Sequence, residues 1–327
     1  MAWPAMRRVV RRKSSPPLPA LVGRPRVLFC LFIWPVEPSY WQPLLNAIRT
    51  RSDLDFLIII NPNSGPGEWE PPHEHHLAAV PLLRGAASAG QIVELVGYVT
   101  TRWGERAPHL VHRDVDRYAA WPSSSGRADM ALDGIYFDES TWHEFGARYY
   151  REMAEYARSK QWGQWRSDAS VPSSHQARSD LVVLNPGCWV HQDYYAFSDL
   201  IIVHEQTVQK FDIGPLRHVP MPFRRVPRHK FGVLLHDGPP PADEERPGHR
   251  SPGFTLSNPA CHAFSPDTPL TTRGITELCL QRLGVGAFFL TNLSLAQTDI
   301  YASFGSNFDE WIACCSDAVR SLQHAAD

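Results

Sequence analysis

The chain has 327 residues, of which 43% are hydrophobic and 20% are charged. These fractions are typical of a globular protein with a sizeable core, which excludes disordered, collagen-like and disulfide-knot chains. The formal net charge of −2, from 32 basic and 34 acidic residues, lacks the positive field that binding to a phosphate backbone requires, so nucleic acid is not an expected partner.

The first 26 residues are predicted to be a disordered basic tail. They contain seven basic and no acidic side chains, and Pro16, Pro17 and Pro19 oppose helix formation. No clear secretory signal is present, because an apolar core of about 7–15 residues after the basic part is missing. No apolar run reaches the roughly 18 residues of a membrane span, so none is expected.

Eight short apolar runs follow, most of them separated by segments with helical periodicity. The predicted strands are 27–34, 54–60, 92–99, 132–137, 181–184, 200–203, 231–235 and 285–290. The predicted helices are 39–50 with Ser39 as its N-cap, 77–89, 109–120, 142–159, a short one at Tyr194, 207–211, 271–283 and 307–323. Apolar strands that alternate with helices indicate a parallel sheet covered on both faces.

Eight such units are the number that closes a (β/α)8 TIM barrel, which we predict as a single domain over residues 27–325. An open doubly wound sheet is the alternative, and it is disfavoured because no G-x-G-x-x-G motif follows the first strand. Residues 237–269 are rich in proline, glycine and charge, and are expected to form a long insertion after strand seven.

Three carboxylates follow predicted strands at the end where barrel enzymes carry their active sites. Asp138 and Glu139 end strand four, and Glu205 follows strand six. Such a group suits glycoside hydrolysis, in which one carboxylic acid protonates the leaving oxygen and a second carboxylate supports an oxocarbenium-like transition state. Each carboxylate alone could equally cap a helix.

Neutral and aromatic side chains at or just after strand ends are expected to bind the substrate, since rings stack on sugar faces and amides hydrogen-bond hydroxyls. These are Trp34, Asn61, Asn63, Tyr98, Asn185 and His236.

Other chemistries find less support in the sequence. None of the four lysines ends a predicted strand, which excludes Schiff-base catalysis, and there is no G-x-S-x-G motif. The run His73 to His76 lacks metal-ligand spacing and is predicted to be a solvated loop. No metal or other cofactor is expected, and we expect a monomer.

Four ordered motifs resemble the spherulin-4-like cell-surface family of fungi and slime moulds. They are INPNSGPG at 60–67, GYVTTRWGER at 97–106, DGIYFDE at 133–139 and NPG at 185–187, and the resemblance runs from about Val27 to Trp311. It implies a barrel glycoside hydrolase like the fungal endo-α-1,4-N-acetylgalactosaminidases, which act on galactosaminogalactan, an amino-sugar polysaccharide. It also implies a secreted or cell-surface location. Strand eight departs from the family by ending in Thr291-Asn292, where Thr-Asp is more frequent.

In that family the functional carboxylates correspond to Asp138, Glu139 and Glu205 of this chain. We expect Glu139 to be the general acid/base, with a pKa raised by Asp138 and partial burial, and Glu205 to be the nucleophile or the base for water. A second assignment has Asp138 orient the 2-acetamido group of the substrate as an internal nucleophile. The alternative function is a non-catalytic cell-wall or cell-surface protein that binds carbohydrate. The exact polymer, the anomeric outcome and endo or exo cleavage stay open.

Overall fold

The computed structural model describes residues 24–163, 179–211, 214–217, 223–241 and 271–326. Eight parallel strands close into a barrel in chain order, which confirms the predicted fold class. The strands are β1 (Arg26–Leu31), β2 (Asp55–Ile60), β3 (Val93–Thr100), β4 (Gly134–Asp138), β5 (Leu181–Leu184), β6 (Leu200–Thr207), β7 (Phe231–His236) and β8 (Ala287–Leu290). Residues 1–23 of the predicted tail and most of the predicted insertion lie outside the described residues.

Helices cover the outside of the barrel between the strands. They are α1 (Gln42–Thr50), α2 (Glu74–Gly85), α3 (Pro108–Ala119), α4 (Trp121–Ser125), α5 (Ala147–Arg158), α6 (Gly214–Arg217), α7 (Thr272–Glu277), which continues as a π-helical turn (Leu278–Arg282), and α8 (Phe308–Ala326). Among the described helices, none combines the length and the apolar character that crossing a bilayer requires.

Several predicted helix starts were wrong. Ser39 does not cap α1, because its hydroxyl donates to the Glu37 carboxylate and a 3-10 turn (Pro38–Trp41) comes first. The predicted helix 142–159 begins only at Ala147, after a second 3-10 turn. The predicted helix 207–211 is a 3-10 turn, since β6 continues through Thr207.

The histidine run at 73–76 was also predicted wrongly as a solvated loop. His73 is the N-cap of α2, and its Nδ1 accepts a hydrogen bond from the His75 backbone N–H at 3.2 Å. His76 is buried, with its ring centroid 4.7 Å from that of Trp34. The start of α2 therefore packs on the residues that follow β1.

The strands are buried on both faces, because side chains fill the lumen and helices cover the outside. All six residues of β2 are buried. Neighbouring partners identify the lumen face from β3 to β5, where Tyr98 pairs with Tyr136 and Tyr136 pairs with Val183. Alternate residues of a strand share a face. Asp138, two positions after Tyr136, and Asn185, two positions after Val183, therefore also point into the lumen at the carboxyl end of the barrel.

A β-bulge shifts the register of β6 near its carboxyl end. Ile202 pairs with Gly232, but the next partner of β7, Val233, pairs with His204 instead of Val203. Glu205 therefore lies opposite Leu234 and shares a face with Ile202. In an unbulged strand His204 would take that position, because one extra residue moves all later side chains to the opposite face.

Gly134 offers a test of this packing at the start of β4. It has φ +154°, and a Cβ there would lie 2.1 Å from the Leu181 carbonyl oxygen. We expect Gly134→Ala to lower the free energy of unfolding by roughly 2–4 kcal/mol in urea denaturation. Gly126→Ala is the control, because Gly126 also has a positive φ but nothing lies within 4 Å of its added Cβ. Equal losses in the two variants would contradict the clash.

Candidate active site

The carboxylates of Asp138 and Glu205 meet at the carboxyl end of the barrel. Asn185, which follows β5, lies between them and donates from Nδ2 to Asp138 Oδ1 at 2.7 Å and to Glu205 Oε2 at 2.6 Å. Because both bonds use the same nitrogen, the two oxygens are no more than about 5.3 Å apart. We call this arrangement the Asn185 bridge.

A tyrosine holds the second oxygen of each bridged carboxylate. The Tyr98 hydroxyl donates to Asp138 Oδ2 at 2.7 Å, and the Tyr301 hydroxyl donates to Glu205 Oε1 at 2.5 Å. Burial raises the pKa of both tyrosines, so both remain protonated donors at neutral pH. All four oxygens of the carboxylate pair therefore accept a hydrogen bond from the protein.

The turn after β5 fixes the orientation of the bridging amide. Asn185 Oδ1 accepts the Gly187 backbone N–H at 3.1 Å, which leaves the Nδ2 hydrogens for the two carboxylates. The Gly187 carbonyl in turn accepts the Glu205 backbone N–H at 3.2 Å. Gly187 has a φ of +64°, a conformation that glycine adopts without steric cost. The motif Asn185-Pro186-Gly187 thus links β5 to the carboxylate on β6.

Glu139 faces the same end of the barrel although it follows Asp138 directly. Consecutive residues in a strand point to opposite faces, but Glu139 has a φ of +51°, which ends the strand. Its Oε2 accepts a hydrogen bond from Thr100 Oγ1 at 2.5 Å, and Thr100 is the register partner of Asp138. The Thr101 hydroxyl braces this turn by donating to the Asp138 and Glu139 carbonyls. A positive φ at a residue other than glycine is a strained backbone conformation, and residues of this kind are concentrated at functional sites.

Asp138 has a raised pKa. Burial, followed by the negative charge of Glu205, raises the pKa of Asp138 to about 6, while the donors Tyr98 and Asn185 act in the opposite direction. A carboxyl with a pKa of about 6 beside a second carboxylate gives the site a group that changes charge near neutral pH.

The pKa of Asp138 predicts a pH-dependent gain in stability when its charge is removed. The folded state binds this proton more tightly than the unfolded chain, so the group destabilises the fold as pH rises from about 4 to about 6. We expect Asp138→Asn to raise the free energy of unfolding by roughly 2–3 kcal/mol at pH 7.5 and much less at pH 4. The Tyr98 hydroxyl can rotate to accept from the new amide. Denaturant unfolding at both pH values measures this, and an equal change at both would contradict it.

Two of the six predicted binding residues, Tyr98 and Asn185, lie in direct contact with the carboxylates. Asn61 instead orders its own loop, with Oδ1 accepting the Gly65 N–H at 3.0 Å, and Asn63 is exposed in that loop.

His236 ends β7 and Trp34 lies three residues after the end of β1, and both have other partners. The Trp34 indole N–H donates to His75 Nδ1 at 2.8 Å, and His236 Nδ1 lies 2.6 Å from Asp237 Oδ2. Within the described ranges, no hydrogen bond joins Trp34, Asn61, Asn63 or His236 to the three carboxylates. Their role in binding stays a prediction.

Two residues of the site were not among the predicted ones. Thr100 could have been found, because it lies two positions after Tyr98 and so shares its face. Tyr301 had no comparable signal, since it lies 96 positions from Glu205 in a segment without periodicity. In the part of the chain that the structure describes, no three His, Cys, Asp or Glu side chains are arranged to hold a metal ion.

Comparisons with known proteins agree with the motifs. The model of the Spherulation-specific family 4 matches residues 26–315. Spherulin-4 of Physarum polycephalum is 30% identical over 181 residues, which are 55% of this chain and only 44% of that protein. The crystal structure of Aspergillus clavatus Sph3 in complex with GalNAc superposes with a TM-score of 0.67 at 25% identity, over 90% of this chain and 99% of Sph3. Because the family match spans the barrel from β1 into α8, the chain belongs to the Spherulation-specific family 4.

Proposed function

We propose that this protein is a glycoside hydrolase that cleaves an N-acetylgalactosamine-containing polysaccharide, in the manner of an endo-α-1,4-N-acetylgalactosaminidase. The Asn185 bridge carries the proposal, because it fixes Asp138 and Glu205 side by side at the end of the barrel where Glu139 also faces. Two adjacent ionisable carboxyls and a third beside them can supply both a proton and a stabilising negative charge.

Glu139 is the general acid/base in this proposal. Thr100 is the one hydrogen-bond partner of its carboxyl among the described residues, and it binds Oε2, so Oε1 can reach a substrate. Glu139 donates its proton to the glycosidic oxygen as the bond to the anomeric carbon breaks and the alcohol leaves. It then takes a proton from the water that completes hydrolysis.

Asp138 and Glu205 stabilise the positive charge that develops at the anomeric carbon. Glu205 is the second catalytic carboxylate, and Asp138 orients the 2-acetamido group, whose N–H it can accept. The anomer of the first product separates two routes. Direct attack by Glu205, or by the acetamido oxygen that Asp138 orients, retains the configuration, whereas a water molecule ordered by Glu205 inverts it.

The substrate class rests on Sph3, whose complex with GalNAc shares 25% identity with this chain over 90% of its length. An amino-sugar polymer outside the cell or at its surface fits the family. To recognise such a polymer, a site needs hydrogen-bond acceptors for the acetamido N–H and flat rings that stack on the sugar faces. At the end of the barrel, the Asp138 carboxylate can be the acceptor.

Release of reducing ends from polymers tests this function. We expect the purified chain to depolymerise an α-1,4-linked N-acetylgalactosamine polymer and to leave a galactose polymer without acetamido groups intact. The Glu205→Gln variant serves as the inactive control in each assay. Binding of the polymer by the wild-type chain without any release would instead support a non-catalytic carbohydrate-binding protein.

A further inference from the structure

The loop between β8 and α8 reaches back across the barrel end to Glu205. Its two ends are tied together: the Asn292 backbone N–H donates to Asn307 Oδ1 at 3.1 Å, and the Asn307 backbone N–H donates to Asn292 Oδ1 at 3.5 Å. Gly305 packs against this tie so closely that a Cβ would lie 2.4 Å from Asn292 Oδ1. Tyr301 lies within this loop, between the two tied ends, and its side chain contacts Glu205.

The Tyr301 ring is held by apolar neighbours while its hydroxyl contacts the site. Its centroid lies 4.9 Å from that of Phe32 and 5.9 Å from that of Phe289. The hydroxyl donates to Glu205 Oε1 at 2.5 Å. A ring packed on two sides can fix the carboxylate more firmly than a flexible side chain could.

The Tyr301 hydroxyl is the donor in this hydrogen bond, because a carboxylate oxygen can only accept. The neighbouring Cys30 thiol does not add a negative charge. Burial, followed by the charges of Glu205 and Asp138, raises the pKa of this thiol well above its usual range, so it stays protonated.

We propose that Tyr301 is a positioning residue for hydrolysis, which sets the rotamer of Glu205, so that the β8–α8 loop is part of the active site. The inference rests on the proposed function, because it takes Glu205 as a catalytic carboxylate. Asn185 holds only Oε2, so without Tyr301 the carboxylate can rotate about its last side-chain bond.

The Tyr301→Phe variant tests the proposal, since it keeps the packed ring and removes only the hydroxyl. We expect kcat to fall about 10- to 100-fold with KM changed less than about threefold, as for loss of one hydrogen bond to a charged group. An unchanged kcat would overturn the proposal.

Tyr118→Phe is the matched control. Its hydroxyl donates to the Ile60 carbonyl at 3.1 Å, and Tyr118 is fully buried on the outside of β3, against Gly97. The control also loses one buried hydrogen bond, so its stability should fall by a similar amount while its kcat stays that of the wild type. A matching fall of kcat in Tyr118→Phe would overturn the assignment to Tyr301.

A spectroscopic measurement separates this proposal from the proposed function. In protein labelled with 13C-glutamate, the carboxyl resonance of Glu205 is identified by its loss in Glu205→Gln. We expect it to move in Tyr301→Phe and to stay in place in Tyr118→Phe at neutral pH. If the wild-type chain hydrolyses no polymer, the proposed function fails, and this resonance still decides the contact: an unmoved resonance overturns the role of Tyr301.

Discussion

Glu205→Gln is expected to lower kcat on an amino-sugar polymer by about a thousandfold or more while the barrel stays folded. Glutamine keeps the size of the side chain, and its amide oxygen can accept from Asn185 while the Tyr301 hydroxyl rotates to accept from its nitrogen. The negative charge is lost, and with it the stabilisation of the developing positive charge. Reducing-end release and thermal unfolding together measure the two effects.

Glu94→Gln is the matched control for this variant. Glu94 is a buried glutamate near the start of β3, at the opposite end of the barrel, and forms an ion pair with Arg26 at 2.9 Å. Its replacement should reduce stability and leave turnover per folded molecule unchanged. Comparable losses of kcat in Glu94→Gln and Glu205→Gln would show that replacing any buried glutamate inactivates the protein. That result would contradict a catalytic role for Glu205.

Glu139→Gln is expected to produce a loss that depends on the leaving group. Without its acid the enzyme must expel an unprotonated alcohol, so kcat/KM on the polymer should fall about 10²- to 10⁴-fold. An aryl glycoside with an acidic phenol needs no such proton, and its rate of release should change far less. Comparing the two substrates in wild type and variant measures the difference directly.

Two further variants complete the test of the acid. Glu144→Gln replaces an exposed glutamate on the segment that follows β4 and should leave both substrates unaffected. Equal losses on both substrates in Glu139→Gln would contradict its role as the acid. If Asp138→Asn shows the leaving-group dependence instead, the proton donor is Asp138, whose pKa of about 6 would suit that task.

Hydrophobic pattern was enough to predict the barrel, because a parallel strand buried on both faces is a short, nearly continuous apolar run. Ile58, Ile59 and Ile60 in β2 and Val182 and Val183 in β5 are examples. Helix starts were harder to predict, since they depend on tertiary contacts. Ser39 has the chemistry of an N-cap, but its hydroxyl is taken by Glu37.

The site was predictable where it follows strand ends and not where it depends on loops. Tyr98, Asp138 and Asn185 share the lumen face of neighbouring strands, so position alone brings them together. The left-handed backbone of Glu139 and the return of Tyr301 to Glu205 leave no periodic pattern. Both are set by contacts between segments far apart in the chain.

The additional residue at Val203 makes the direction of the glutamate depend on the local shape of β6. If the same residues paired with β7 in regular register, the acidic pair after β4, the Asn-Pro-Gly turn and the glutamate itself would all remain, yet the glutamate would face outward and a histidine would lie inward beside Asn185. A chain with one residue fewer at this point needs a regular strand to keep the carboxylate inward, whereas a chain of this length needs the bulge. Whether a similar chain retains its chemistry therefore depends on counting residues along this strand as well as on finding the right letters.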